Sequence, residues 1–321
     1  MKQRYVFIDI ARAFGIILIL FNHWHIGDTA NFYYAIGRMG VPLLLFSSGY
    51  ILFDRRIENA NDVLVFYKNH LLKFFICNCI WTILWNLFNM FYFHDIIHVN
   101  QLISEILVLR GNDRMWNSWF LKPMVGYYLL FPLIKLFIDK VNRKCLYLML
   151  IIAVIYFYVL PYFGIRYIAG IKLRQGYHYF APYFILYPVI GFLVRIRITN
   201  VVYLVLVLAY YLDAKLVHRA VSYADITIVI TSFIIFRLIC NVNECKFQKV
   251  FEAISRRTLP IFYIHMPLRY VFGGFTKYLT IGNPHVLTIV MVVFNMVICL
   301  LIIRILEIIP FRSVKRYLLF Q

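Results

Sequence analysis

Long, nearly uncharged apolar stretches recur along this 321-residue chain, and they restrict its fold more than any other feature. Hydrophobic residues make up 63% of the chain and charged residues 15%, whereas charged residues reach about 25% in soluble globular proteins. A mean hydropathy of +0.77 points the same way. The stretches are too long and too evenly apolar for membrane β-strands of about 9 to 11 alternating residues. The sequence therefore predicts an all-α, polytopic helical bundle in a membrane.

At about 20 apolar residues per span, the chain is predicted to contain about ten transmembrane helices. Their approximate ranges are 6–24, 38–53, 71–93, 116–137, 145–163, 180–194, 199–213, 223–240, 258–274 and 286–309. No small-residue cleavage site follows the first span, so we expect it to remain as a helix. The connections are too short for a soluble domain. We therefore expect residues 1–321 to form a single integral-membrane domain.

The charge pattern predicts the orientation of this bundle. The 33 Lys and Arg residues give the chain a net charge of +19, and they fall mainly in the connections on one side. Placing that side in the cytoplasm also places both termini there. Because topology accounts for most of the basic residues, we expect no nucleic-acid partner. The six cysteines lack the paired spacing of a zinc site, and no metal is predicted.

Three polar residues in the first span, Asp9, Arg12 and His23, are the best lead to function. Charge near a bilayer centre costs at least about 2.5 to 3.5 kcal/mol and usually marks a functional site. Arg12 and His23 are eleven residues apart, so they lie about 20° apart around a helix and about 16 Å apart along it. Asp9 is close enough to pair with Arg12. His23 would act as a catalytic base and Arg12 would bind an anion, unless these residues form only an interfacial ion pair and an interfacial histidine.

Other polar residues allow a binding role or a structural role. A basic cluster after the second span suits either a phosphate-bearing cofactor or anionic lipid headgroups; it contains Arg55, Arg56, Lys68 and Lys73. Four further residues are candidates for substrate binding, although membrane anchoring or packing would also explain them: Arg38, Trp119, Lys122 and His265. Arg174 lies in a basic outer loop that suits an anionic ligand such as a lipid-linked sugar phosphate. Packing is the expected role of Ser47–Gly49.

Taken in order, these motifs resemble membrane-bound acyltransferase family 3, the bacterial integral membrane O-acyltransferases that modify surface polysaccharides. The family's Arg and His, separated by ten residues and preceded by an Asp, match Arg12, His23 and Asp9. Its remaining motifs are similar to Gly40-Val41-Pro42 with Ser48-Gly49-Tyr50, Trp119-Phe120-Leu121 with Tyr128 and Pro132, and Ser255 with Tyr263 and His265. The resemblance covers essentially the whole chain.

The resemblance implies that acetyl-CoA is the acyl donor and that a sugar hydroxyl of a surface or lipid-linked polysaccharide is the acceptor. His23 would accept the hydroxyl proton or carry the acyl group, and Arg12 with Asp9 would position the donor or hold the site in shape. The expected location is a bacterial inner or plasma membrane, where the multi-pass chain contacts lipid. Two departures from the family pattern concern the donor site, where His70 and Lys73 replace two arginines.

Two alternatives to acetyl transfer stay open at this level. A membrane transporter or exporter of a glycan would also place charges along a path through the membrane. Because the size of the pocket cannot be read from the sequence, another acyl donor such as succinyl-CoA is equally compatible with the motifs.

Overall fold

A computed structural model describes residues 5–26, 30–108, 119–160, 167–168, 171–172, 182–194, 223, 225–279, 281–311 and 314–320. In these residues the regular structure is helical, apart from one antiparallel pair of two-residue strands, β1 (Tyr167–Ile168) and β2 (Ile171–Lys172). The prediction that the protein is helical is confirmed for these residues.

Thirteen α-helices are described within these ranges. They are α1 (Val6–His23), α2 (Ala30–Gly37), α3 (Gly40–Leu52), α4 (Ala60–Phe66), α5 (Lys73–Phe93), α6 (Val99–Val108), α7 (Leu121–Lys140), α8 (Arg143–Val154), α9 (Pro182–Leu193), α10 (Ile226–Ile239), α11 (Gln248–Ser255), α12 (Thr258–Phe272) and α13 (Pro284–Ile308). Three π-helical segments, Tyr67–Leu72, Ile155–Val159 and Val314–Leu318, and a 3-10 segment, Gly273–Tyr278, complete the helical structure.

Five helical segments in the described ranges are long and apolar enough to cross a membrane by length and composition: Val6–His23, Phe32–Leu52, Ala60–Phe93, Leu121–Lys140 and Pro284–Ile308. Shorter apolar helices occupy Lys144–Val159, Phe184–Leu193 and Ile226–Ile239. The predicted seventh span, 199–213, lies outside the described residues. Both the count of ten spans and the cytoplasmic location of the termini stay predictions.

The structure differs from the predicted spans at the ends of several helices. The third span was predicted to begin at residue 71, but the helix begins at Ala60, where the Asn59 side chain accepts a hydrogen bond from the Asp62 amide in a capping box. It then runs through the π-helical segment Tyr67–Leu72 into α5. Helices α6 and α11 lie in predicted connections. Both are short and rich in polar residues, so a search for 20-residue apolar stretches does not detect them.

Helix α1 lies at the centre of the bundle and packs against α2, α3, α10, α11, α12 and α13. Its crossing with α3 is close, because a Cβ atom on Gly40 would clash with the carbonyl oxygen of Gly15. Helix α3 in turn packs tightly against α9, where a Cβ on Gly49 would clash with the carbonyl oxygen of Pro188. Small residues permit such approaches. The predicted packing role of Ser47–Gly49 is therefore confirmed at Gly49.

Candidate active site

A cavity of about 770 Å³ opens beside the N-terminal half of α1, within the size range of small-molecule sites. Arg12 lines it, with Ser48 of α3 and Tyr128 of α7. The ends of several elements meet here: the junction of α11 and α12, the last turns of α13, and the C-terminal segment 314–320. The cavity thus lies at the Arg12 end of the predicted polar stripe.

Positive charge exceeds negative charge in the lining of this cavity. Glu307 is the single carboxylate among the described residues of the lining, and it accepts two hydrogen bonds of 2.8 Å from Arg257 and one of 3.2 Å from Arg304. Five cationic side chains line the same space: Arg12, Arg256, Arg257, Arg304 and Lys315. Apolar and aromatic side chains form the rest of the wall, including Phe74, Phe120, Phe262 and Phe320. The cavity suits an anionic ligand with an apolar part.

At the other end of α1, two histidines from distant parts of the chain lie against each other. The rings of His23 and His265 stack with centroids 5.1 Å apart and planes inclined by 29°. His23 is 4% exposed and His265 is fully buried. The sequence identified both histidines as candidates but did not predict their contact.

Hydrogen bonds fix the ring and the tautomer of His265. Its Nδ1 lies 3.2 Å from the carbonyl oxygen of Ile261. A carbonyl oxygen can only accept, so Nδ1 carries the proton and Nε2 of the neutral ring keeps a free lone pair. Nε2 is buried and has no hydrogen-bond partner within the described part of the chain. The side chain of Asn295 also donates to the His265 carbonyl at 3.2 Å, which ties α12 to α13 at this point.

Pro267 explains a second anchor of the same helix. Proline has no amide hydrogen, so the carbonyl of Tyr263, four residues earlier, lacks its usual helical donor. The indole Nε1 of Trp85 donates to that carbonyl at 3.2 Å. The Tyr263 hydroxyl donates to Asn78 at 3.1 Å, and the Tyr263 ring stacks on Trp81. Helix α5 therefore holds α12 at Tyr263, two residues before His265, which restricts the position of His265.

Phe262 connects the cavity with the histidine pair. It lines the cavity, and its ring centroid lies 5.9 Å from that of His265 and 5.8 Å from that of Phe120. The Phe262 side chain therefore lies between the cavity and the His265 ring at this position.

Arg38 and Arg269 lie near the histidine pair. The charges of both act on the His23 ring, so both guanidinium groups are within electrostatic range of it. Arg38 stands over the rings of Tyr34 and Tyr223, at 5.8 and 5.2 Å from their centroids. Trp119 contacts the same Tyr223 ring, with centroids 4.8 Å apart. The candidates Arg38, Trp119, His265 and His23 thus belong to one neighbourhood.

His25 points away from the histidine pair, as its angular offset on the helix predicts. Its ring contacts Tyr34, with centroids 4.4 Å apart. Burial lowers the pKa of His25; the hydrogen bond of Nδ1 with the Asn22 carbonyl opposes this shift, and the charge of Arg269 adds to it. His25 is therefore predominantly neutral at pH 7.

The remaining predicted site residues lie elsewhere. Asp9 is buried, and its pairing with Arg12 stays a prediction. The four predicted cofactor-binding residues do not line the cavity: Arg56 is exposed, Lys68 borders a separate apolar groove, Arg55 is partly buried, and Lys73 stands over the Phe320 ring at 4.5 Å. Lys122 is partly buried at the second position of α7. Arg174 lies outside the described residues.

Sequence reasoning missed four cations of the cavity as ligand candidates: Arg256, Arg257, Arg304 and Lys315. From the sequence alone, these four residues indicate only the topology, because they lie on the predicted basic side of the membrane. The signal that could have singled them out is their position, since all four fall just outside or at the ends of the last two predicted spans.

Comparison with known proteins adds an independent finding. A sequence model of acyltransferase family 3, described as an acyltransferase domain, matches residues 5–304. No curated protein and no solved structure matches the chain. The matched range contains both ends of α1, the histidine pair and most of the cavity lining. The chain therefore belongs to acyltransferase family 3, which makes it a membrane acyltransferase.

Proposed function

We propose that this membrane acyltransferase moves an acetyl group from acetyl-CoA to a hydroxyl of a surface or lipid-linked glycan. The observation that carries the proposal is the arrangement along α1. A basic cavity suited to a phosphate-bearing donor lies at Arg12, and the buried pair of His23 and His265 lies about 16 Å farther along the same helix. The bias of Lys and Arg supports placing the cavity on the cytoplasmic side, where acetyl-CoA is found.

In this proposal the cations of the cavity bind the donor's phosphates, and its apolar wall receives the rest of the molecule. Arg256 and Lys315 are the best candidates for the phosphate contacts, because Arg257 and Arg304 share Glu307. Arg256 also contacts Glu252, at a side chain that remains 59% exposed. The acyl arm then passes Phe262 toward His23.

The chemical step requires a base and an acceptor hydroxyl that is held in position for attack. His23 accepts the proton of the acceptor hydroxyl, whose oxygen attacks the thioester carbonyl and forms a tetrahedral intermediate. The carbon–sulfur bond then breaks, and the thiolate takes up a proton as the ester forms. The Nε2 lone pair of His265 can accept a hydrogen bond from a neighbouring hydroxyl of the acceptor and so orient the hydroxyl that reacts. The burial of both rings keeps competing water away from the thioester.

Membership of the family favours this function over glycan export, and the two are separable by experiment. Purified protein should release free thiol from acetyl-CoA when surface glycan from cells lacking the protein is supplied. The glycan should gain the mass of one or more acetyl groups, and His23→Gln at matched protein levels should abolish the gain. An exporter would release no thiol and leave the glycan mass unchanged. Repeating the assay with succinyl-CoA tests the choice of acyl group.

A further inference from the structure

Arg38 and Arg269 have no carboxylate partner among the described residues, and both lie beside a site that must receive the acceptor. Within the described residues, no ion pair joins either one to an acidic side chain. The buried Nε of Arg38 also has no hydrogen-bond partner there. Charges taken out of water are normally paired. This pair of arginines therefore lacks an anion that a ligand could supply.

The surroundings of Arg38 favour recognition of an anionic group on a sugar. The rings of Tyr34 and Tyr223 lie within cation–π distance of the Arg38 guanidinium. Through the fork of its N–H groups, a guanidinium binds carboxylate or phosphate oxygens in bidentate fashion. Trp119 extends the aromatic surface beyond Tyr223, and such faces offer apolar area to the C–H face of a sugar ring.

The fold brings Arg38 next to the end of α1 that carries His23. A Cβ on Gly37 would clash with the Cβ and backbone of Asn22, so the turn before Arg38 packs directly on the residue before His23. Arg269 lies one turn after His265 on α12, and its charge acts on both histidines and on His25. The two arginines thus approach the histidine pair from different elements.

We propose that Arg38 and Arg269 bind an anionic group of the acceptor, so that this enzyme acylates a sugar carrying a carboxylate or phosphate close to the hydroxyl that reacts. This inference rests on the proposed function, because it names the class of acceptor for that reaction. Either of two groups would supply this anion. One is a uronate carboxylate in the glycan, and the other is the phosphate of a phosphorylated or lipid-linked sugar.

The test uses purified full-length protein, acetyl-CoA and surface glycan from cells lacking the protein, in three forms. One portion is untreated, one has its carboxylates reduced to alcohols, and one has its phosphates hydrolysed. With wild-type protein, transfer to the form that lacks the recognised anion should fall about 10- to 100-fold, as expected for the loss of charge-assisted hydrogen bonds. The form that loses transfer identifies the source of the anion.

Variants link this loss to the two arginines. Arg38→Gln and Arg269→Gln should each lower transfer to the untreated glycan about 10-fold or more, yet change transfer to the anion-depleted form less than about 3-fold. Arg38→Lys should restore only part of the activity, because it keeps the charge and loses the fork. Lys249→Gln, which removes an exposed charge on α11, is the matched control and should behave as wild type. Donor binding by each variant verifies that the site is folded.

Two outcomes would overturn the inference while the proposed function stands. Wild-type protein could acylate all three forms equally, or the arginine variants could lose activity equally on every form, which would place these residues in catalysis or in folding. A lack of transfer to the untreated glycan would instead contradict the proposed function, and this inference with it.

Discussion

The two ends of α1 present opposite environments to their ligands. At Arg12 the helix borders an open cavity whose described lining contains five cations and one carboxylate. At His23 the same helix is buried, and two imidazole rings stack out of contact with solvent. Fixed charge is concentrated where a charged donor can bind, and a titratable base is kept in a dry site where a proton must move. The comparison assigns binding of the donor to one end of the helix and the chemical step to the other.

The largest effect should come from the closed end. Replacing His23 by Gln removes the proposed base, so kcat should fall by about 1,000-fold, within the range for the loss of a general base. Initial rates of thiol release from acetyl-CoA measure the effect, with folding checked by size-exclusion chromatography. Retention of more than a tenth of the wild-type kcat would remove His23 from the chemical step.

His265 should matter less, because it orients the acceptor through a neighbouring hydroxyl and takes no proton. His265→Gln should lower kcat by about 10- to 100-fold in the same assay, as expected for a misplaced reacting group. Asn295→Leu, which removes the hydrogen bond to the His265 carbonyl and the one accepted from the Cys299 thiol, is the companion variant and should produce a smaller loss. If His265→Gln matched the loss of His23→Gln, the two histidines would act as a single unit and the assigned roles would be wrong.

Substitutions in the cavity at the Arg12 end should weaken the binding of acetyl-CoA. The double variant Arg256→Gln with Lys315→Gln should raise the KM for acetyl-CoA about 10-fold at low salt and change kcat little. Rising ionic strength should reduce the difference from wild type, because exposed charges are screened. Lys249→Gln again serves as the surface control. A fall in kcat at unchanged KM would contradict a donor site in this cavity.

The smallest effect should separate His25 from His23. His25→Gln should change the rate at pH 7 by less than about 3-fold, since burial lowers the pKa of His25 and the neutral ring contacts Tyr34 rather than His265. The pH–rate profiles of the variant and the wild type should coincide between pH 6 and 8. A displaced profile would show that His25 influences the reacting groups.

Local patterns in the sequence predicted much of this account. The apolar stretch and the eleven-residue spacing on α1 are properties of one helix, so both the span and the separation of Arg12 from His23 could be inferred directly. The small residues of α3 likewise pointed to close packing, which Gly49 confirms.

The contacts between distant segments could not be predicted in this way. His23 and His265 meet because α1 and α12 pack together, and no periodicity in either helix contains that information. The cavity likewise takes its cations from α1, the α11–α12 junction, α13 and the C-terminal segment. The basic cluster at Arg55–Lys73 can be recognised in the sequence because its charged residues are close together along the chain. The charged residues of the cavity are close together only in the folded structure.

The most direct test of the division along α1 measures donor binding and single-turnover acyl transfer on the same two proteins. His23→Gln should bind acetyl-CoA with a Kd within about 2-fold of wild type and transfer no acetyl group. The Arg256→Gln, Lys315→Gln double variant should bind about 10-fold more weakly and still transfer at the wild-type rate when saturated with donor. Loss of donor binding in His23→Gln, or loss of the saturated rate in the double variant, would contradict separate binding and chemical ends.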